Sequence, residues 1–309
     1  MPPSPGSVDV HQHLWPVAFL DELRRRRAAP YLRGWTLYVA GEPPYDVDPA
    51  AHDVERRAEA ELAAGRSEVL VSMSAPLGVE ALPARDRTRL LDAWHEGVLG
   101  LPAPFRAWAS VPDLDPDPDE VTAAVKDGFV GLQVGAHLLS EPARLEALAP
   151  VLRRCEELDV PVLVHPGPVD AAPGAPAWWP AVHQYVVQLQ AAWWSWTTAG
   201  RSLLPDLRIC FAAGAGLAPL HHERSVARGG GRFRVDPWVF VDTSSHGRQA
   251  VDHLTRALGI DPVVLGSDRP YAPPLDQPID EPVELTLGAA AHHAITASNP
   301  RRLLEGPRP

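Results

Sequence analysis

Eight short runs rich in valine, leucine and isoleucine recur along this chain with amphipathic stretches between them, and this alternation restricts the fold more than any other feature. The runs fall at residues 8–11, 68–74, 105–111, 129–134, 160–165, 207–212, 238–242 and 262–266. The stretches 51–64, 86–99, 141–158 and 246–258 carry apolar residues at spacings of three and four, the helical period. Strands separated by helices pair in parallel, because each helix carries the chain back over the sheet. Eight such units predict an α/β fold, a closed (β/α)8 (TIM) barrel. An open doubly wound sheet would normally carry a glycine-rich phosphate turn after its first strand; here that position reads His11-Gln12-His13. A chain of 309 residues is expected to form one such domain over 1–309. Residues 30–50 break the periodicity with aromatics and prolines and read as a small insertion near the barrel mouth.

Charge narrows the partners. The net charge is −11, with acidic and basic residues interspersed, so no basic stripe exists to follow a phosphate backbone and the expected partner is a small molecule, not nucleic acid. No run of about 18 apolar residues occurs, and residues 1–7 have neither the cationic stretch nor the apolar run of a targeting signal. The expectation is a cytoplasmic protein with no membrane partner. Cys155 and Cys210 both sit in apolar patterns and are expected as inert core thiols of a reducing compartment. Trp178, Trp179, Trp193, Trp194 and Trp196 cluster after the fifth run. They are expected to pack on the barrel or on a second copy in a homodimer, as aromatics dominate cores and interfaces.

The chemistry lies at the run ends. Alternation along a strand puts Asp9, His11 and His13 on one face and Val8, Val10 and Gln12 on the other. The fifth run ends in His165, and the eighth is followed by Asp268. In a barrel all strand C-termini open on one face, where catalytic groups collect. Three imidazoles and a carboxylate would meet there, a donor set suited to zinc and to other first-row divalent metals such as manganese.

Four motifs, Asp9-Val10-His11-Gln12-His13, His165-Pro166, Gly266-Ser267-Asp268-Arg269-Pro270 and Asn299-Pro300-Arg301-Arg302-Leu303-Leu304, together resemble the amidohydrolase-related family that includes aminocarboxymuconate semialdehyde decarboxylase. The resemblance implies that His11, His13, His165 and Asp268 bind a divalent ion, with Asp9 orienting a ligand imidazole. It also exposes a departure. Relatives carry a histidine followed by glycines after the sixth strand, serving as general base or water-orienting group, whereas this chain has Ala213 there, in Ala212-Ala213-Gly214-Ala215-Gly216. Alanine cannot transfer a proton. His246 is the first candidate to replace that histidine, ahead of His221 and His222. Two-metal members use a carboxylated lysine, but the one lysine here, Lys126, precedes the fourth run, and the inward candidate on that strand is Gln133. One ion is expected, zinc first and manganese second.

The leading expectation is a metal-dependent hydrolase in which a metal-activated water attacks a small substrate and Asp268 takes its proton. The alternative is a nonoxidative decarboxylase of a small aromatic or unsaturated carboxylic acid, with Arg33, Arg224 or Arg269 binding the carboxylate. A third is a degenerate barrel that binds without turnover.

Overall fold

The computed structural model describes residues 6–272 and 288–306. Eight parallel strands appear where the runs predict them: β1 (Ser7–Gln12), β2 (Arg66–Val71), β3 in two pieces (Phe105–Ala107 and Ala109–Ser110), β4 (Leu132–Gly135), β5 (Val162–His165), β6 (Ile209–Phe211), β7 (Val239–Asp242) and β8 (Val263–Val264). β1 pairs with β2 and β2 with β3; β3 continues to β4, and each later strand pairs with the next as far as β8. The ring closes where the Val10 amide donates to the Leu265 carbonyl at 2.9 Å and the Asp268 amide to the His11 carbonyl at 2.8 Å. Closing the ring pairs its first strand with its last, which is how a barrel avoids an open edge.

Two layers of apolar side chains follow from the two-residue strand period. Val8, Val10, Leu70, Trp108, Val130, Leu163, Cys210, Phe240 and Val264 form one cluster with at least one residue from each strand or its margin. This is the barrel interior, closed from below by Leu303 of the C-terminal helix Asn299–Glu305. Their neighbours Val69, Val162, Val164, Ile209, Phe211, Val241 and Leu265 point outward into the layer shared with the helices. The predicted helices are Val54–Ala63, Ala84–Leu99, Pro142–Glu157 and Arg248–Leu258. Asp53 starts the first of them by accepting the Arg56 amide at 3.1 Å, a side-chain cap worth about 1 kcal/mol.

One expectation about β1 fails. Pairing runs Asp9 opposite Val69 and then Gln12 opposite Val71, so three steps on β1 match two on β2. The extra residue is a β-bulge, and it breaks the strict alternation of faces. Asp9 and Gln12 therefore lie together on the outer side, where the Gln12 amide donates to Asp9 Oδ2 at 2.8 Å, while Val10 enters the barrel. His11 and His13 turn to the mouth.

Residues 30–50 form a three-stranded antiparallel sheet from Tyr31–Arg33, Thr36–Tyr38 and Tyr45–Asp46. Of the five clustered tryptophans, Trp193 and Trp196 are buried in the core and Trp178 is 56% exposed. Cys155 and Cys210 are buried and free. Among the described residues no helix is long and apolar enough to cross a membrane.

Candidate active site

His11 from β1, His13 just past its end, His165 from the end of β5 and Asp268 just past β8 meet at the barrel mouth, with one ligand atom from each lying within 4.8 Å of the others. The three imidazoles stand mutually edge-on, with ring centroids 4.9 to 5.1 Å apart. Every ring has its Nδ1 against an oxygen: His11 against Asp242 Oδ2 at 2.7 Å, His13 against the Ser72 carbonyl at 3.0 Å and His165 against the Pro166 carbonyl at 2.8 Å. A ring that donates from Nδ1 keeps its lone pair on Nε2. The Nε2 atoms of His11 and His13 lie 3.2 Å apart, and Asp268 Oδ1 lies 3.1 Å from the latter. Lone pairs aimed at a common centre are what a cation needs, and the three nitrogens and one carboxylate suit zinc or manganese. Asp268 holds its position with a left-handed backbone, φ 58°.

Asp242 was not among the residues singled out from the sequence. Its Oδ2 bonds the His11 ring, and its Oδ1 accepts the Ala213 amide at 2.8 Å, the Ser244 amide at 2.9 Å and the Ser244 hydroxyl at 2.6 Å. Gly266 leaves room for it, since a Cβ there would lie 2.8 Å from the Asp242 carboxylate. Asp9, the residue expected to orient an imidazole, does something else. It accepts the backbone amides of His11 and Ser267, both at 3.1 Å, and so pins β1 to the turn after β8 without touching the His11 ring. The bulge explains the exchange, because it lies between Asp9 and Gln12 and turns His11 and His13 to the mouth while Asp9 stays on the outer face. Asp242→Asn must turn an NH2 toward either the amide donors or His11 Nδ1–H. We expect metal affinity to fall about 10- to 100-fold; unchanged affinity in a metal titration would remove Asp242 from this role.

Burial dominates the electrostatics. It pushes the His13 and His165 imidazoles down, His165 furthest, with the neighbouring histidines adding to that. Burial also acts downward on His11, but Asp242, Asp268 and Asp9 outweigh it and raise the ring to about 9. Burial acts upward on Asp268, but the hydrogen bond from His13 and the charges of the histidines overcome it and hold the carboxyl at about 2. In the metal-free protein near pH 7, His11 therefore holds a proton that a metal must displace, and His13 and His165 do not. We expect binding to release about one proton per ion and to strengthen as pH rises toward 9, flattening above. Calorimetry in buffers of different ionisation heat checks this, and a proton count near zero would contradict it.

Above the cluster lies a cavity of about 1010 Å³. Its walls come from the insertion (Val39, Glu42, Tyr45), from the helix Tyr185–Ser195 and from the turn after β6. Tyr271 packs on His13, with ring centroids 5.1 Å apart, and accepts from the Ser74 hydroxyl at 3.2 Å.

The amidohydrolase family model matches residues 8–306. The chain belongs to the amidohydrolase family. The 2-amino-3-carboxymuconate-6-semialdehyde decarboxylase of Caenorhabditis elegans is 24% identical over 63% of this chain, which spans 58% of that relative. Among solved structures, the apo IDCase of Metarhizium anisopliae superposes with a TM-score of 0.75 at 16% identity, covering 97% of both chains. A 5-carboxyvanillate decarboxylase of Novosphingobium aromaticivorans, a D314N mutant crystallised with manganese and a nitrobenzoic acid, superposes with a TM-score of 0.70 at 17% identity, covering 97% of each. At such identities the superpositions establish the fold.

In this amidohydrolase the turn after β6 has a positive φ at each residue from 213 to 217, a left-handed turn that includes Ala213, Ala215 and Leu217. It carries Ala213 to the cavity wall and its carbonyl to 2.9 Å from His246 Nε2. His246 also lines the cavity, and burial lowers its pKa, so it is a neutral imidazole with Nε2 donating and a lone pair on Nδ1. His221 lines the wall, while His222 packs against Phe233 and Trp193 as a core residue. The expected arginines are a correction, for none of the three lines the cavity. Arg33 bonds the backbone carbonyls of Leu32 and Arg26 and covers Tyr31. Arg224 is exposed on the helix His222–Ala227. Arg269 turns outward to Glu61 at 2.9 Å, because the residue after an inward-facing Asp268 points to the helix layer. Lys126 is exposed in the helix Pro118–Asp127, and Gln133 is buried beside a smaller cavity, so neither stands at the cluster.

Proposed function

We propose that this chain is a metal-dependent nonoxidative decarboxylase of a small aromatic or unsaturated carboxylic acid. The observation that carries the reading is a cation-shaped set of three imidazoles and one carboxylate on the floor of a largely apolar cavity. The decarboxylase relatives favour carbon dioxide release over the hydrolysis expected first from the sequence. His11, His13, His165 and Asp268 hold one divalent ion, manganese or zinc. When bound, the ion supplies a positive charge that anchors a carboxylate or a neighbouring oxygen and draws electron density toward itself. The walls do the rest. Val39, Leu77 and Leu189 exclude water and so strengthen every charge interaction within. A carbon that loses carbon dioxide must gain a proton, and we assign that transfer to Asp268 and His246, which both line the cavity; the Ser245 hydroxyl lies 3.4 Å from Asp268 Oδ2.

The test is a manganese- or zinc-loaded sample offered hydroxylated aromatic acids, with carbon dioxide and acid release measured together. Carbon dioxide from any of them, lost on chelation, supports the reading. Acid released from esters or amides without carbon dioxide would return it to a hydrolase, and neither product from a fully loaded protein would favour the degenerate barrel. The role of position 213 has its own test. Histidine tolerates positive φ better than most residues, so Ala213→His should fit the turn and put an imidazole on the cavity wall. If the position is a gap in proton transfer, turnover should rise, within the range of about 100- to 10,000-fold typical of such assistance. If His246 already fills it, Ala213→His should add little and His246→Ala should cost a comparable factor. No change in either would leave Asp268 as the proton carrier.

A further inference from the structure

We propose that this cavity takes an acid with one anionic group, carried on an apolar body that bears a hydroxyl or amino donor, and rejects acids with a second anionic group. The proposal rests on the decarboxylase reading and concerns what lies beyond the reacting carboxylate.

No lysine or arginine is among the described residues that line the cavity. The ionisable nitrogens on the wall beyond the cluster are His221 at the rim and His246, which is committed to the Ala213 carbonyl. A substrate anion seated on the metal is thus balanced there, and a second one would find no guanidinium or ammonium among the described residues to replace its water. Burying a charge without such a partner is strongly unfavourable.

Glu42 makes the selection sharper. It comes from the insertion, lines the cavity and accepts a hydrogen bond from the Tyr185 hydroxyl across the wall. Tyr45 of the same insertion and Asp268 of the cluster line the same cavity as Glu42. Burial raises the Glu42 carboxyl and the Tyr185 bond partly restores it. A substrate hydroxyl or amine can donate to a carboxylate here, whereas a carboxylate, sulfonate or phosphate would oppose it. Around this polar pair the wall is apolar, with Val39, Leu77, Val186, Leu189 and Leu217 facing the space.

Two ring acids that differ in one substituent separate the cases: 3-hydroxybenzoate and benzene-1,3-dicarboxylate, titrated into the manganese-loaded full chain by calorimetry. The expected result is 3-hydroxybenzoate binding at least about tenfold more tightly, since like charges brought together in a desolvated site repel strongly. In Glu42→Gln the difference should shrink severalfold, mainly through tighter binding of the diacid. Equal or tighter binding of the diacid by the unaltered protein overturns the proposal and leaves the decarboxylase reading standing. An undiminished preference in Glu42→Gln overturns the part assigned to Glu42. Binding of neither acid by protein with full metal occupancy overturns the proposal together with the carboxylic-acid reading beneath it.

Discussion

Replacing His11 and His13 together with alanine should abolish metal binding and, with it, all turnover, while the barrel remains folded. Two of the four convergent ligands disappear, the pair whose Nε2 atoms lie 3.2 Å apart. A site reduced to His165 and Asp268 keeps too few donors to complete a tetrahedral shell. The fold should survive, because the histidines sit at the mouth, above the Val8 and Val10 layer that packs the interior. Elemental analysis should find about one ion per chain in the unaltered protein and none in the double variant, with matching circular dichroism. Two tightly bound ions in the unaltered protein, or full occupancy in the variant, would sink the ligand assignment.

Asp268→Asn should cost nearly all turnover and little stability. Asparagine is among the few residues that accept a left-handed backbone readily, so the φ of 58° and the amide bond to the His11 carbonyl are retained. The carboxylate is lost. With it go the negative charge beside three imidazoles and a group placed to carry a proton, the latter worth about 100- to 10,000-fold by itself. Measured side by side, kcat should fall by at least that range while the melting temperature stays within a few degrees. A variant with full activity on any substrate the protein turns over would remove Asp268 from the chemistry, and one that fails to fold would make its role structural.

Much of this molecule is legible in its sequence, and the failures have common causes. The eight strands were readable because a parallel strand buried on both faces must be apolar throughout, so 160–165 and 207–212 stand out against helices with a stripe. The ligands were readable because strand ends in a barrel share a face. The same rule could have found Asp242, which ends β7 as His165 ends β5. The bulge in β1 was invisible, because alternation assumes an unbroken register and a one-residue slip exchanges the faces. Arg33, Arg224 and Arg269 were misassigned for a related reason. Their number along the chain does not say which way a long side chain turns.

The sequence by itself determined the order of strands and helices, the four residues able to hold a cation and the absence of histidine at Ala213, because period and residue chemistry are local properties. Only the tertiary structure decided that Asp242 rather than Asp9 orients His11, that His246 meets the Ala213 carbonyl, and that Glu42 faces the site with no arginine among the described residues of the wall. Those relations join positions far apart in the chain, from 11 to 242 and from 42 to 185. Closure of the barrel and the fold of the insertion over its mouth set the distances between them.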